Sequence, residues 1–370
     1  MKILQIASNY NISDVYRCLF EALSKDNSLI TIIPLTIKGG KNSSFQEDTE
    51  GIKPLYIGKP RIFGNQINAP KYLNSIIEHG YLNEVDLVHA HFILNDGLIA
   101  YKIYKRFKIP YIVSVRTSCI NVLKKKIAFH NYISSLFVLN YASTIVFQSY
   151  VFQNKLLSEI PWFLKKRILN KSQIISNGID TFWHKHIYKK RNLPIGNRFS
   201  ILTVASIEQN KNLLSIAKIT SKLNSDGYNV IYNIVGPIID KKIYDKLTSI
   251  QNVQYYGALG KENLLQVYRQ SDIFVMVSHR ETFGMVFAEA MSQGLPIVYT
   301  KGEGFDGQFK EGLVGYHASS NSEIEIENAI LNVLANYQQL SENALKFSGT
   351  FRWENISDRF TAIYRCLMNK

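Results

Sequence analysis

Two glutamates pose the first chemical question. Glu281 and Glu289 stand eight positions apart in Glu281-Thr282-Phe283-Gly284-Met285-Val286-Phe287-Ala288-Glu289-Ala290-Met291. The run follows the apolar stretch Ile273–Val277 through a short loop, and its pattern predicts a helix over Met285–Gln293. Glu281 then lies in the loop, and Glu289 about one and a half turns into the helix. The first N–H groups of a helix have no intrahelical acceptor, and the helix dipole adds partial positive charge there, so Phe283, Gly284 and Met285 form an anion site. Gly284 has no side chain, which lets a phosphate or a sugar approach the backbone. Gly294 and Pro296 end the helix. Two hydroxyl acceptors with phosphate donors between them make a cradle for a nucleotide diphosphate sugar. A helix carrying two solvated glutamates has the same spacing, so both readings stay open on this run alone.

A second segment adds a cation. The strand Phe199–Ala205 leads through Ser206-Ile207-Glu208-Gln209-Asn210 to Lys211, where a helix over Lys211–Asn224 is predicted. Lys211 then sits at the carboxyl end of a first strand, beside a helix start. That is where a doubly wound sheet takes phosphate. An ordinary surface lysine at a helix start is the other reading.

Two series of alternating strands and helices must position these groups. The first has strands Lys2–Ala7, Leu29–Leu35, Asp86–His89, Tyr111–Val115, Thr144–Phe147 and Gln173–Ile175. Between them lie helices Asp14–Ser24, Lys71–His79, Asp96–Phe107, Val122–Leu139 and Tyr150–Glu159. Thr181–Arg198 is polar and basic and reads as an interdomain linker. The second series has strands Phe199–Ala205, Val230–Val235, Val253–Tyr255, Ile273–Val277 and Pro296–Thr300, with helices Lys211–Asn224, Asp240–Ile250, Lys261–Arg269 and Met285–Gln293. Continuous apolar strands separated by helices mean parallel sheets covered on both faces. The expected fold class is α/β, with two Rossmann-like doubly wound domains facing a cleft. The expected division is 1–180, the linker 181–198, and 199–353, with a final helix 354–370 completing the first domain.

At this point the chain resembles the retaining glycosyltransferases of family 4, which have the GT-B fold. Glu281 to Glu289 matches their E-x7-E motif, and Asn177-Gly178-Ile179-Asp180 their segment at the domain junction. Val88-His89-Ala90-His91-Phe92 with Gly97 matches the HAH region, and Met291-Ser292-Gln293-Gly294-Leu295-Pro296 the end of the EAMxxGxP motif. The matches occur in family order over nearly the whole chain. The resemblance implies that Glu281 binds donor-sugar hydroxyls, that Glu289 holds the ribose hydroxyls, and that Lys211 neutralises the diphosphate. It also implies that the amides of Phe283, Gly284 and Met285 meet the sugar phosphate. The chain departs from the family at Ala205-Ser206, where Gly-Arg is frequent, so Ser206 stands at the position of a second diphosphate cation. After Tyr111–Val115 the family often has His-Gly; here Arg116-Thr117 follows, with Cys119 where an Asp is common, so Arg116 is expected to bring charge to the leaving group or acceptor. The first βα loop, Ser8 to Ser13, lacks the family's glycines. The terminal helix, Glu354–Met368, resembles the one that crosses back to the first domain in this fold.

Composition narrows the class. The chain has 370 residues, 46% hydrophobic and 19% charged, which excludes a mainly disordered or collagen-like protein. Cys18, Cys119 and Cys366 are far apart and form no CxxC, so neither a disulfide framework nor a zinc site is expected. No secretory signal is expected at the start. The uncharged stretch 127–154 carries too many polar residues for a membrane span and is read as a helix followed by a buried strand. Of the net +14, residues 101–180 carry +11 while residues 1–100 carry −1. The clusters are Lys102, Lys105, Arg106 and Lys108; then Lys124-Lys125-Lys126; then Lys165-Lys166-Arg167, which follows Pro161-Trp162-Phe163-Leu164. Large apolar side chains beside cations suit an anionic membrane surface; a solvated basic face is the ordinary alternative. No nucleic-acid motif accompanies the charge.

Several patterns point elsewhere and are set aside. Gly302-Glu303-Gly304-Phe305-Asp306-Gly307 fits G-x-G-x-x-G, but no helical period follows, so a loop is expected rather than a dinucleotide site. His89/His91 and His184/His186 are pairs without an evident third metal ligand. No Asp-x-Asp occurs, which argues against the metal-dependent single-domain class of glycosyltransferase, and G-x-S-x-G and P-loop motifs are absent. The expectation is a retaining, metal-independent glycosyltransferase without a bound cofactor. It would move a sugar from a nucleotide diphosphate donor to a lipid-linked or saccharide acceptor in surface polysaccharide assembly (O-antigen or capsule). It would work on the cytoplasmic face of the cell membrane. A nucleotide-sugar epimerase of the same fold and a non-catalytic scaffold are the alternatives.

Overall fold

The computed structural model describes residues 1–8, 10, 14–25, 35–37, 55–57, 65–116, 119–120, 123, 129–188, 194 and 196–369. Predicted strand residues 29–34, the Lys124–Lys126 cluster and residues 9 and 11–13 of the first βα loop lie outside them, as does Thr117.

The first series gives strands β1 (Ile3–Ile6), β2 (Leu35–Ile37), β3 (Leu55–Ile57), β4 (Leu87–Ala90), β5 (Tyr111–Val115), β6 (Thr144–Phe147) and β7 (Ser172–Ile174). Its helices are α1 (Asp14–Ser24), α2 (Asn65–Glu78), α3 (Asn95–Phe107), α4 (Phe129–Tyr141), α5 (Tyr150–Glu159) and α6 (Trp162–Asn170). The main sheet is parallel in the order β1-β4-β5-β6-β7, with Ile3 opposite Leu87 and Val88 opposite Tyr111; β2 and β3 form a separate parallel pair. Side chains alternate across a strand. Ile3, Leu87, Ile112 and Val146 therefore pack with α1, while Leu4, Val88, Val113 and Ile145 pack on the opposite face with α3 and α4. Both faces are covered, which is why these strands read as unbroken apolar runs.

The second series gives α7 (Thr181–Lys185), β8 (Arg198–Val204), α8 (Leu213–Ser225), β9 (Asn229–Val235), α9 (Lys241–Thr248), β10 (Val253–Tyr255) and α10 (Lys261–Gln270). It continues with β11 (Ile273–Met276), α11 (Met285–Ser292), β12 (Ile297–Thr300), β13 (Gly315–Ala318), α12 (Glu323–Ala335) and α13 (Tyr337–Ser348). This sheet is parallel in the order β10-β9-β8-β11-β12-β13. Strand order reverses between β8 and β11, so the carboxyl ends of those two strands flank the crevice where a doubly wound sheet binds ligands. The last helix, α14 (Trp353–Met368), returns to the first unit and packs on α1.

The chain divides into Met1–Gly178 with Trp353–Lys370, and Ile179–Arg352. The predicted linker is therefore corrected in its first part. Residues 179–188 belong to the second unit: Asp180 caps α7 by accepting the Phe182 N–H at 2.8 Å, and Trp183 is buried in that unit's core. The isolated residues looked polar, and one buried tryptophan outweighs them. Four further elements, β3, β13, α12 and α13, were not predicted, and α6 was read only as a charged cluster. Of the helix predicted over Val122–Leu139, the part Phe129–Tyr141 is described, and residues 122 and 124–128 lie outside the described residues. No helix among them is long and apolar enough to cross a membrane.

Candidate functional site

The crevice of the second unit is built by two loops. After β8 the chain makes a single 3₁₀ turn, Gln209–Lys211, and enters α8 through Asn212, whose φ of 55° is left-handed. The helix thus starts two residues later than its apolar pattern predicts, and Lys211 stands ahead of it. Asparagine tolerates this conformation because its short side chain bonds locally. Here the Asn212 amide donates to the carbonyls of Val277 and Ser320 at 3.2 and 3.0 Å. Asn210 completes the join. Its amide donates to the Arg280 carbonyl at 2.9 Å and its carbonyl oxygen accepts the Arg280 N–H at 3.1 Å. The loop after β8 is therefore fastened to the loop after β11 on both sides of Lys211.

That fastening brings Lys211 and Glu281 together. Lys211 Nζ donates to Glu281 Oε2 at 2.9 Å, and the two side chains are only 18% and 10% exposed. The other oxygen, Oε1, accepts the Thr282 N–H at 2.9 Å, and Ser278 Oγ lies 3.5 Å from Oε2. The backbone N–H of Glu281 donates to Glu303 Oε2 at 3.1 Å. Glu303 belongs to the G-x-G-x-x-G segment, which is a succession of turns and not a strand-to-helix phosphate loop. A Cβ on Gly304 would come within 1.7 Å of the Thr282 carbonyl oxygen. Gly304 thus serves close packing against the Glu281 loop, while Gly302 and Gly307 take left-handed backbone, with φ 73° and 78°.

Gly284 is the residue before α11, with φ 73°, and a Cβ there would lie 2.6 Å from the Phe287 ring. Glycine is thus required by the backbone itself, in addition to leaving open the approach expected from sequence. Phe283 turns inward. It is 2% exposed and packs at an angle against the rings of Phe305 and Phe351, so only its backbone can face a ligand, whereas Met285 is exposed. Ser206 donates its hydroxyl to Glu208 Oε1 at 2.8 Å, an engagement that sequence reasoning missed.

Glu289 has a different environment. It lies one turn into α11 and accepts from Tyr268 Oη at 3.2 Å, with the Trp183 indole also bonded to it. Burial raises its pKa to about 7; Tyr268 pulls it down, the nearby Asp180 charge pushes it up, and Lys261 partly offsets that push. Lys261 in turn bonds the Asp180 carboxylate. The two glutamates of the motif thus differ in kind: one is ion-paired at the crevice, the other is held in a desolvated, aromatic-walled niche. Tyr268, Trp183 and Lys261 carry no motif, and the pairing of Lys261 with Asp180 of the junction segment was not legible in the sequence.

Arg116 belongs to the first unit and follows β5. Its guanidinium lies over the Tyr16 ring at 4.7 Å, with Nη1 3.5 Å from Asn177 Oδ1, and its buried Nε has no hydrogen-bond partner. A cavity of about 20 Å³, room for one water, is lined by Arg116, Ser114, Gln148 and Asn177. Beside it the histidine pair is built into a buried network. His89 bonds Tyr364 Oη at 2.8 Å and Ser114 Oγ at 2.9 Å, and His91 Nε2 meets Gln5 Oε1 at 2.8 Å. Burial, reinforced by the Arg116 charge, lowers the pKa of His89 to about 3 and holds His91 well below its usual value, so both are neutral. Asp96 accepts the Ser8 N–H at 3.3 Å, and burial raises its pKa to about 7.

A family-model match falls within the second unit, and sequence relatives extend over both. Residues 185–347 match the family model "Glycosyl transferases group 1". The chain is 25% identical over 301 residues to the uncharacterised glycosyltransferase MJ1178 of Methanocaldococcus jannaschii, covering 78% of this chain and 76% of that one. It is 22% identical over 335 residues to an uncharacterised 41.2 kDa protein in the cps region of Klebsiella pneumoniae, covering 85% and 89%. Among solved structures, Anabaena HepE in complex with UDP and glucose superposes with a TM-score of 0.70 at 16% identity, covering 99% of this chain and 100% of that one. Residues 185–347 are thus similar to the group 1 glycosyltransferases, in a chain whose two parallel-sheet α/β units have the GT-B fold.

Proposed function

We propose that the protein is a retaining glycosyltransferase that moves a sugar from a nucleotide diphosphate donor to a hydroxyl of a lipid-linked saccharide. The observation that carries this reading is the Lys211–Glu281 pair, 2.9 Å apart at the carboxyl ends of β8 and β11. Breaking the anomeric bond builds positive charge on the sugar and negative charge on the departing phosphate. Lys211 has three N–H donors, so it can keep Glu281 and still meet that phosphate. The amides at the start of α11 face the same developing charge. Glu281 orients the sugar through its hydroxyls, and Glu289 receives the ribose hydroxyls. Arg116 is assigned, on the resemblance, to bring positive charge to the leaving group or the acceptor. These groups supply the phosphate's stabilisation without a metal, and the leaving phosphate takes the acceptor's proton on the same face of the sugar.

A UDP-sugar is the first donor to test, since HepE was solved with UDP and glucose. The cps-region relative supports a surface polysaccharide as the product class. The acceptor is placed at an anionic membrane surface on the cytoplasmic side. The support is the charge of +11 over residues 101–180, together with exposed Phe129, Phe137, Tyr150, Trp162, Phe163 and Leu169 in the same region. The test is transfer from UDP-sugars to a lipid-diphosphate saccharide, with the anomeric configuration of the product read by NMR. An axial donor should give an axial product. Inversion, or release of free sugar and nucleotide that an acceptor does not suppress, would contradict the reading, the latter in favour of an epimerase.

A further inference from the structure

A groove in the first unit, between the edge strand β7 and α14, is assigned no part in the transfer. It encloses about 470 Å³, the size of a ligand site. Asn170, Lys171 and Gln173 line it from the β7 side, and Arg359, Ile363 and Leu367 from α14. No Asp or Glu lines it among the described residues. Ser143, Thr144 and Lys171 place it at the amino ends of β6 and β7. Arg116 and His91 stand at the opposite, carboxyl ends of their strands, so the groove is separate from the acceptor side of the sheet.

We infer that this groove binds the phosphate headgroup of an anionic membrane lipid. Both cations are fixed with donors to spare. Lys171 Nζ donates to the carbonyls of Asn140 and Ala142, each at 2.7 Å, which leaves one N–H. Arg359 Nη2 bonds the Ile174 carbonyl, which leaves the rest of its fork. The apolar side chains of Ile363 and Leu367 beside these donors suit the glycerol and upper acyl carbons of a lipid and have no use in binding inorganic phosphate.

The position of α6 selects the lipid source. Ile168 is fully buried and anchors the inner face of this helix. Trp162 is 82% exposed, Phe163 62% and Leu169 49%, with Lys165, Lys166 and Arg167 also exposed. Asn170, which lines the groove, follows Lys166 by four residues and Phe163 by seven, so all three share one helix face. A bilayer surface met by that face places the groove's mouth among the headgroups, where aromatic and basic side chains settle.

The inference rests on the membrane reading above, but its test uses neither donor nor acceptor. Cys366 lines the groove and is exposed, while Cys119 is buried and serves as an internal control. The full chain is mixed with vesicles of phosphatidylcholine alone or with phosphatidylglycerol, and maleimide alkylation of Cys366 is followed by mass spectrometry alongside flotation. Phosphatidylglycerol should slow alkylation about tenfold when nine-tenths of the sites are filled; phosphatidylcholine and free glycerol phosphate should not. Arg359→Gln should still float but lose protection. Ala362→Trp, which narrows the groove without changing charge, should do the same. Flotation of wild type with unprotected Cys366 would overturn the groove while sparing membrane docking. So would equal protection in Arg359→Gln, by phosphatidylcholine or by glycerol phosphate. Failure of wild type to float would overturn both, and transfer to a soluble acceptor would still be measurable.

Discussion

Replacing either member of the Lys211–Glu281 pair should have opposite consequences for nucleotide binding. Without donor, Lys211 is held by Glu281 at 2.9 Å with both side chains largely enclosed. A diphosphate must share the lysine with that carboxylate. Lys211→Ala removes a charge-assisted hydrogen bond worth about 2 kcal/mol, so the UDP dissociation constant should rise about thirtyfold. Uridine, which carries no phosphate, should bind within about twofold of wild type, because less than about 0.4 kcal/mol changes for it. Glu281→Gln instead releases the lysine, so UDP should bind as tightly as in wild type or more tightly. Transfer should nevertheless fall at least about a hundredfold, the size of a lost transition-state contact. Isothermal calorimetry with UDP and uridine on both variants, beside steady-state transfer, measures all of these quantities. Equal losses of UDP and uridine in Lys211→Ala would refute the reasoning, as would weakened UDP binding in Glu281→Gln.

Three further outcomes follow from the same geometry. Burial raises the Glu289 pKa from 4.5 to about 7, so the folded state binds the proton more tightly than the unfolded chain; the associated stability is present below about pH 4.5 and is lost as pH rises through 7. Urea unfolding of Glu289→Gln should therefore lose part of the wild-type decline between these values, with Asp96 in the first unit supplying a share that remains; an unchanged slope would contradict the niche. Gly284→Ala forces a side chain into a left-handed backbone against the Phe287 ring and should cost about 1–3 kcal/mol in the same assay; an unaltered midpoint would contradict it. Reversing Lys165, Lys166 and Arg167 to glutamate should abolish flotation with phosphatidylglycerol vesicles at low salt, since each cation near the surface contributes about 1 kcal/mol; equal flotation would assign the basic region to something other than membrane.

Much of the framework was legible because buried parallel strands leave an unmistakable apolar signature. Tyr111–Val115, Thr144–Phe147 and Val253–Tyr255 fall where the sequence places them. The helices α12 and α13 escaped because no chemical motif drew attention to the segment that follows the glycine-rich loop. At the site, Glu281, Glu289 and Lys211 could be picked out by type and spacing. Their relationship could not: a contact across 70 residues depends on Asn210 and Asn212 fastening one loop to another, and asparagine in a turn looks the same whether or not it does so. The inward turn of Phe283 and the niche around Glu289 are likewise products of tertiary packing, with Tyr268 and Trp183 arriving from distant helices. The G-x-G-x-x-G segment shows the converse, a motif whose central Gly304 answers to packing against Thr282.

The most direct test of the central claim is release of nucleoside diphosphate from a panel of nucleotide sugars by the purified protein, followed by chromatography with and without a lipid-diphosphate saccharide. Slow donor hydrolysis should occur with at least one sugar, accelerate when the acceptor is added, and drop at least about a hundredfold in Glu281→Gln. Release that is undetectable across the panel, or that is undiminished in Glu281→Gln, would contradict the assignment of this crevice to sugar transfer.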